Sequence, residues 1–114
     1  MKTQDVVRRK ISRLWPEPAD AKRANDILGR FRDPLNSRNT DHSRVALAVI
    51  KLSAGSLGKL EELIAIANQD WRDVLAWAES PEQSGILWTT AEQQNEREDI
   101  IKRDREQYER WLRE

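Results

Sequence analysis

Hydrophobic positions recur at helical spacing along most of the chain, most densely in RVALAVIKLSAGSLGKLEELIAIA, Arg44 to Ala67. In the first half of that run Val45, Ala48, Val49 and Leu52 fall at i, i+3, i+4 and i+7, while Leu47, Ile50 and Ala54 line a second side. Lys51 is the only charge between Val45 and Ala54, and a helix apolar almost all round is a buried one, so this segment is predicted to form the centre of the fold. Thr40 or Asp41 can cap its first turn, and Gly55 suits the left-handed position just past its end. Ser56 then starts a second helix. Its Leu57, Leu60, Leu63, Ile64 and Ala67 make one stripe, while Lys59, Glu61, Glu62 and Gln69 point elsewhere. So short a link predicts an antiparallel hairpin.

The flanking segments follow the same period. Val6, Val7, Ile11 and Leu14 give a short amphipathic helix over residues 4–14, stopped by Trp15-Pro16-Glu17-Pro18 because proline lacks the N–H and turns its predecessor away from helix. A helix over about Ala19 to Phe31 carries Ala24, Ile27, Leu28 and Phe31, and Arg32 to Asp41 is a polar connection punctuated by Pro34. Asp70 and Asp73 suit the start of a helix in which Trp71, Val74, Leu75 and Ala78 are the buried side. After a loop at Ser80, Pro81 and Gly85, Ile86, Leu87 and Trp88 form an apolar patch expected to dock on the core. The last helix is expected from Thr90 to Arg113, opened by a capping box from Thr89 with Glu92 or Thr90 with Gln93. From Thr89 to Asp99 its only apolar residue is Ala91, so it is mostly wet. It is supported by ordered pairs such as Glu98 with Lys102 and Asp99 with Arg103, each worth roughly 0.2 to 0.5 kcal/mol. Asp104 and Arg105 interrupt its apolar side, which argues against a continuous coiled coil.

Composition narrows the class. With 114 residues the chain is one domain, residues 1–114, with a charged C-terminal helix, residues 88–114, able to project from it. Acids and bases balance at 20 each, whereas a nucleic-acid binder usually carries a basic excess. The balance is uneven: residues 1–44 hold eleven Lys and Arg against six acids. The absence of cysteine excludes disulfides and thiol chemistry. No run of signal-peptide or membrane-spanning length is present, so a cytoplasmic location is expected.

Candidate chemistry is sparse. Ser37, Arg38, Asn39, Thr40, Asp41, His42, Ser43 and Arg44 precede and open the central helix, where free N–H groups and guanidinium forks suit an anion. The same residue types are ordinary capping and turn residues. His42 is the only histidine, and a hydrolase or lyase built on Asp41, His42 and Arg44 would need a concave pocket beside them. No metal set, phosphate loop or nucleophile elbow is found, so no cofactor and no metal are expected. As a helix-turn-helix, the central hairpin is poor: its second helix offers Ser56 and Lys59, then Glu61 and Glu62, whose charges oppose phosphate. Arg8, Arg9, Lys10 and Arg13, with Arg38 and Arg44, are the candidate anion or nucleic-acid contacts, against a solvated amphipathic face as the alternative. The five tryptophans are dispersed, which fits core and rim better than a stacking platform. Trp111, at a charged helix end, is expected to be exposed, and Tyr108, Trp111 and Leu112 form the candidate interaction surface.

The run from Asp41 to Glu82 resembles small uncharacterised bacterial all-α proteins of unknown function. The shared features are an aliphatic helix with Lys51-Leu52 near its end, a glycine turn, a Leu-rich helix and the stretch Asp70-Trp71-Arg72-Asp73-Val74-Leu75. The resemblance covers under half the chain, implies a bacterial cytoplasmic all-α protein, and carries no activity with it. The expectation is therefore an all-α compact bundle of five or six helices with a central buried helix and a longer charged C-terminal helix. Its expected function is that of a non-catalytic protein interaction or assembly module, with a protein partner or a second copy and no membrane. A nucleic-acid-associated regulator using the basic N-terminal helix is the alternative.

Overall fold

The computed structural model describes residues 3–32, 42–84 and 90–114. Among the described residues there are seven helices and no strand: α1 (Thr3–Leu14), α2 (Pro18–Leu28), α3 (His42–Ser53), α4 (Leu57–Glu79), α5 (Pro81–Ser84), α6 (Ala91–Asn95) and α7 (Arg97–Arg113). No helix among the described residues is long and apolar enough to cross a membrane. The expected cap residues Thr40 and Asp41, the Ser37 to Asp41 cluster with Arg38, and the patch Ile86 to Trp88 lie outside the described residues.

The centre is α3, as its pattern predicts: Val45, Leu47, Ala48, Val49, Ile50 and Ser53 are all buried. Around it close Ile27 from α2, Leu60, Leu63, Ile64 and Ala67 from the first half of α4, and Val74, Leu75 and Ala78 from the second. Side chains such as Ile27, Ile50 and Leu60 are sealed from water, each stabilising the fold by roughly 1.5–3 kcal/mol relative to exposure. The turn from α3 to α4 places two successive residues in the left-handed region, Ala54 (φ 51°) and Gly55 (φ 86°). Glycine adopts that region without Cβ strain; alanine does so at a cost. Ser56 then caps α4, its hydroxyl accepting from the Lys59 N–H at 3.2 Å. The indole N–H of buried Trp15, just past the end of α1, donates to the Gly55 carbonyl at 3.1 Å, which fastens α1 to this turn.

Two helices were expected over residues 56–79, and α4 satisfies that expectation as one element bent by a single extended residue, Asp70 (φ −159°, ψ 103°). The Asp70 carboxylate accepts from the Arg72 backbone N–H at 3.0 Å and from the Arg72 guanidinium at 2.9 and 2.7 Å, capping the second half. That bend sends the second half back across α3. Helix α2 stops earlier than predicted, at Leu28 rather than Phe31. The Asn68 side chain accepts from the Arg32 N–H and donates to the Arg30 carbonyl, so the following residues bond to α4 in place of a further helical turn.

The single C-terminal helix of the sequence reading is divided at Glu96 (φ −89°, ψ 0°). Helix α6 opens with the Thr90–Gln93 capping box and buries none of its residues, so no packing holds it in line with α7. Helix α7 docks on the molecule rather than projecting from it, with Ile100 and Asp104 buried and Trp111 and Tyr108 packed against the core.

Candidate functional site

Asp104, Lys51 and Lys10 are ionisable side chains drawn wholly or partly out of water, and each is bonded to backbone at a helix end. Asp104 on α7 is 1% exposed. Its carboxylate accepts from the backbone N–H groups of Glu82 and Gln83, both at 3.1 Å, and from the Gln83 side-chain amide at 3.0 Å. Those N–H groups belong to the first turn of α5, so a carboxylate from α7 caps that turn. Asp104 therefore does not break the apolar side of α7, as the pattern suggested; it lies within it, one turn from Ile100 and one from Tyr108. Lys51, the lone charge of α3, donates to the Ala78 carbonyl at 2.6 Å and to the Gln107 side chain at 2.8 Å, at the C-terminal end of α4. Burial lowers the Lys51 pKa and nearby Asp104 partly restores it.

The third is Lys10, which the sequence places on a solvated basic face and the structure leaves only 4% exposed. Its ammonium donates to the carbonyls of Trp111 and Glu114 and stands 4.4 Å from the centre of the Trp111 ring. Arg9 donates to the Leu112 carbonyl. The unpaired carbonyls that end α7 are thus closed by α1, and Lys10 is held there although burial, then neighbouring Arg9, lowers its pKa. Of the four basic residues of α1, only Arg8 and Arg13 are exposed, and Arg8 stands 3.9 Å from Asp5.

The aromatic candidates are distributed differently from expectation. Trp111 is half-buried beneath Lys10, its ring 5.7 Å from that of Tyr108, so the expected exposure of Trp111 is overturned. Among the described tryptophans Trp77 is the exposed one, at 42%. It lies on the outer side of the second half of α4, whose Val74, Leu75 and Ala78 face the core.

Tyr108 and Leu112 instead line a cavity of about 490 Å³ where the starts of α1 and α3 meet the ends of α4 and α7. Val6 and Leu47 complete its apolar wall, and Arg9, Arg44, Arg113 and Glu79 bring the charge. Arg44 is gripped by Glu79 through two bonds, 2.8 and 2.6 Å. The Tyr108 hydroxyl is buried with no hydrogen-bond partner among the described residues. Its pKa is raised above 10, first by burial and then by Glu79, with Arg44 opposing. The cavity shows that the aliphatic helix is not closed off on every side, since Leu47 borders open space. His42 is elsewhere: it is exposed, edge-on to Phe31 at 5.0 Å, and borders a separate shallow groove with Arg8 and Asn25. Arg44 and His42, joined in the sequence reading, thus face different hollows.

The sequence pattern assigns no site role to Asp104, Val6, Leu47 or Glu79. For Asp104 a signal existed, because Ile100, Tyr108 and Trp111 place position 104 inside the apolar stripe. No group of three or more metal-ligating His, Cys, Asp or Glu occurs among the described residues. No family model matches the chain, and no curated protein or solved structure is significantly similar to it.

Proposed function

We propose that this chain is a non-catalytic protein interaction module that docks a protein partner, or a second copy of itself, through the outer face of the second half of α4. The observation that carries the reading is Trp77, a large apolar side chain 42% exposed on a helix whose opposite side is already spent on the core. Tryptophan left at a surface is the residue type most enriched among the anchors of protein contacts. The interior supports the non-catalytic part: Asp104, Lys51 and Lys10 are bonded to backbone groups at helix ends, and His42 sits against Phe31 on the surface.

Chemical crosslinking in the source cell, followed by sedimentation of the purified complex, tests this with Trp77→Ser. Because Trp77 is not part of the core, the variant is expected to keep its helical circular dichroism while losing the crosslinked species. Crosslinks and sedimentation identical to those of the unsubstituted chain would remove the reading.

A further inference from the structure

We infer that the cavity between α1, α3, α4 and α7 binds an uncharged apolar small molecule. Its volume of about 490 Å³ falls in the small-molecule range, and its wall is built from Val6 on α1, Leu47 on α3, and Tyr108 and Leu112 on α7. Tyr108 contributes its ring alone, because its hydroxyl is sealed from water and so offers nothing to a molecule entering from solvent. An empty apolar hollow costs stability, since the atoms of its wall lack the contacts that packing gives the rest of the core. An apolar guest supplies those contacts and leaves water in doing so.

The charged groups of the wall are engaged with one another or with backbone, which decides against an ion. Arg44 and Glu79 neutralise each other through two bonds, 2.8 and 2.6 Å. Arg9 donates to the Leu112 carbonyl, at the negative end of α7. Arg113 donates to the Glu109 carbonyl at 3.3 Å and stands with Glu106, Glu109 and Glu114 around a neighbouring surface hollow. A carboxylate or an ammonium entering the cavity would surrender hydration and find each of these four partners already taken, whereas an uncharged molecule meets no such cost. The same bonds brace the wall. Arg44 with Glu79 ties α3 to α4, and Arg9 and Lys10 tie α1 to the end of α7, so the space is formed before a ligand arrives.

Methyl NMR titration of the full chain with naphthalene, 1-naphthoate and 1-naphthylmethylammonium tests the assignment, since the three probes share a ring system and differ in charge. Naphthalene is expected to bind saturably at one per chain and to shift the methyl signals of Val6, Leu47 and Leu112, with each ion at least about tenfold weaker. Tyr108→Phe should leave naphthalene affinity within about twofold, because the hydroxyl does not meet the ligand. Leu112→Trp, at the half-buried edge, should fill the space and abolish binding. Absence of saturable naphthalene binding, saturation without shifts at those three residues, or either ion binding within about tenfold of naphthalene would each overturn the proposal. So would a loss of about tenfold or more in Tyr108→Phe, or affinity unchanged in a Leu112→Trp chain that keeps its helical circular dichroism. Trp77 does not line this cavity, so Trp77→Ser should bind naphthalene like the unsubstituted chain, which keeps the two readings separately testable.

Discussion

Asp104 lies in the apolar stripe of α7, where an ionised carboxylate survives only if its lone pairs are occupied. The two backbone N–H groups and one amide that occupy them are equally dependent on it. Asp104→Asn places an amide against donors and leaves at least one of them unsatisfied, so a loss of about 2 kcal/mol is expected in urea unfolding. Lys51→Met should cost less than about 1 kcal/mol, because the Gln107 amide also donates to the Ala78 carbonyl, at 3.3 Å, and methionine refills the apolar space left by the lysine stem. Equal losses from the two substitutions would contradict this division of labour. Tyr108 offers a second residue-level observable, being the only tyrosine in the chain. A phenol whose folded-state pKa is raised holds its proton longer in the folded than in the unfolded state, so stability is unaffected below pH 10 and falls as pH rises above it. Phenolate absorbance should therefore appear together with the loss of helical circular dichroism. Ionisation of Tyr108 near pH 10 with the helices intact would show that its hydroxyl is open to water.

Among the elements, α3 and both halves of α4 were legible because their apolar residues repeat at helical spacing and their caps, Ser56, Asp70 and Gly55, stand where backbone geometry needs them. Helix α7 was legible in extent but not in orientation. Its stripe contains Asp104 and Gln107, and periodicity read on hydrophobicity alone treats such positions as solvent-facing. The same bias put Lys10 on a wet face, although its long stem and terminal donors suit it to close the carbonyl end of another helix. That clamp carries a prediction. Lys10→Met keeps the packed stem and removes the donors to Trp111 and Glu114, so the last turn of α7 should fray while α3 and α4 hold. Amide hydrogen exchange is expected to accelerate selectively over residues 108–114, with a global loss of about 1–2 kcal/mol. Arg8→Met, on the exposed side of the same helix, should change stability by less than about 0.5 kcal/mol.

At the scale of the whole molecule, the cavity draws on residues from Thr3 to Arg113, and no local pattern announces which helix ends will meet. Tyr108 and Leu112 could be seen as an apolar pair in the sequence, but Val6, Leu47 and Glu79 become their neighbours only once α1 crosses α3 and α4 bends at Asp70. The same assembly redistributes charge. The basic excess of the first 44 residues suggests a nucleic-acid face when the chain is read as a line. In the fold Arg9 and Lys10 bond the end of α7, Arg44 is held by Glu79, and Arg23 pairs with Glu61 at 3.2 Å. Phosphate binding draws its strength from counterions released by cations that approach the backbone together, and on α1 only Arg8 and Arg13 stand exposed. With 20 acids matching 20 bases, no long-range field compensates. Double-stranded DNA and single-stranded RNA are therefore expected to show no retarded band with this chain at micromolar protein, even at low salt. A complex that formed there and weakened steeply as salt rose would mean that residues of the N-terminal third present a shared cationic surface after all, and Arg8→Met with Arg13→Met would then be expected to abolish it.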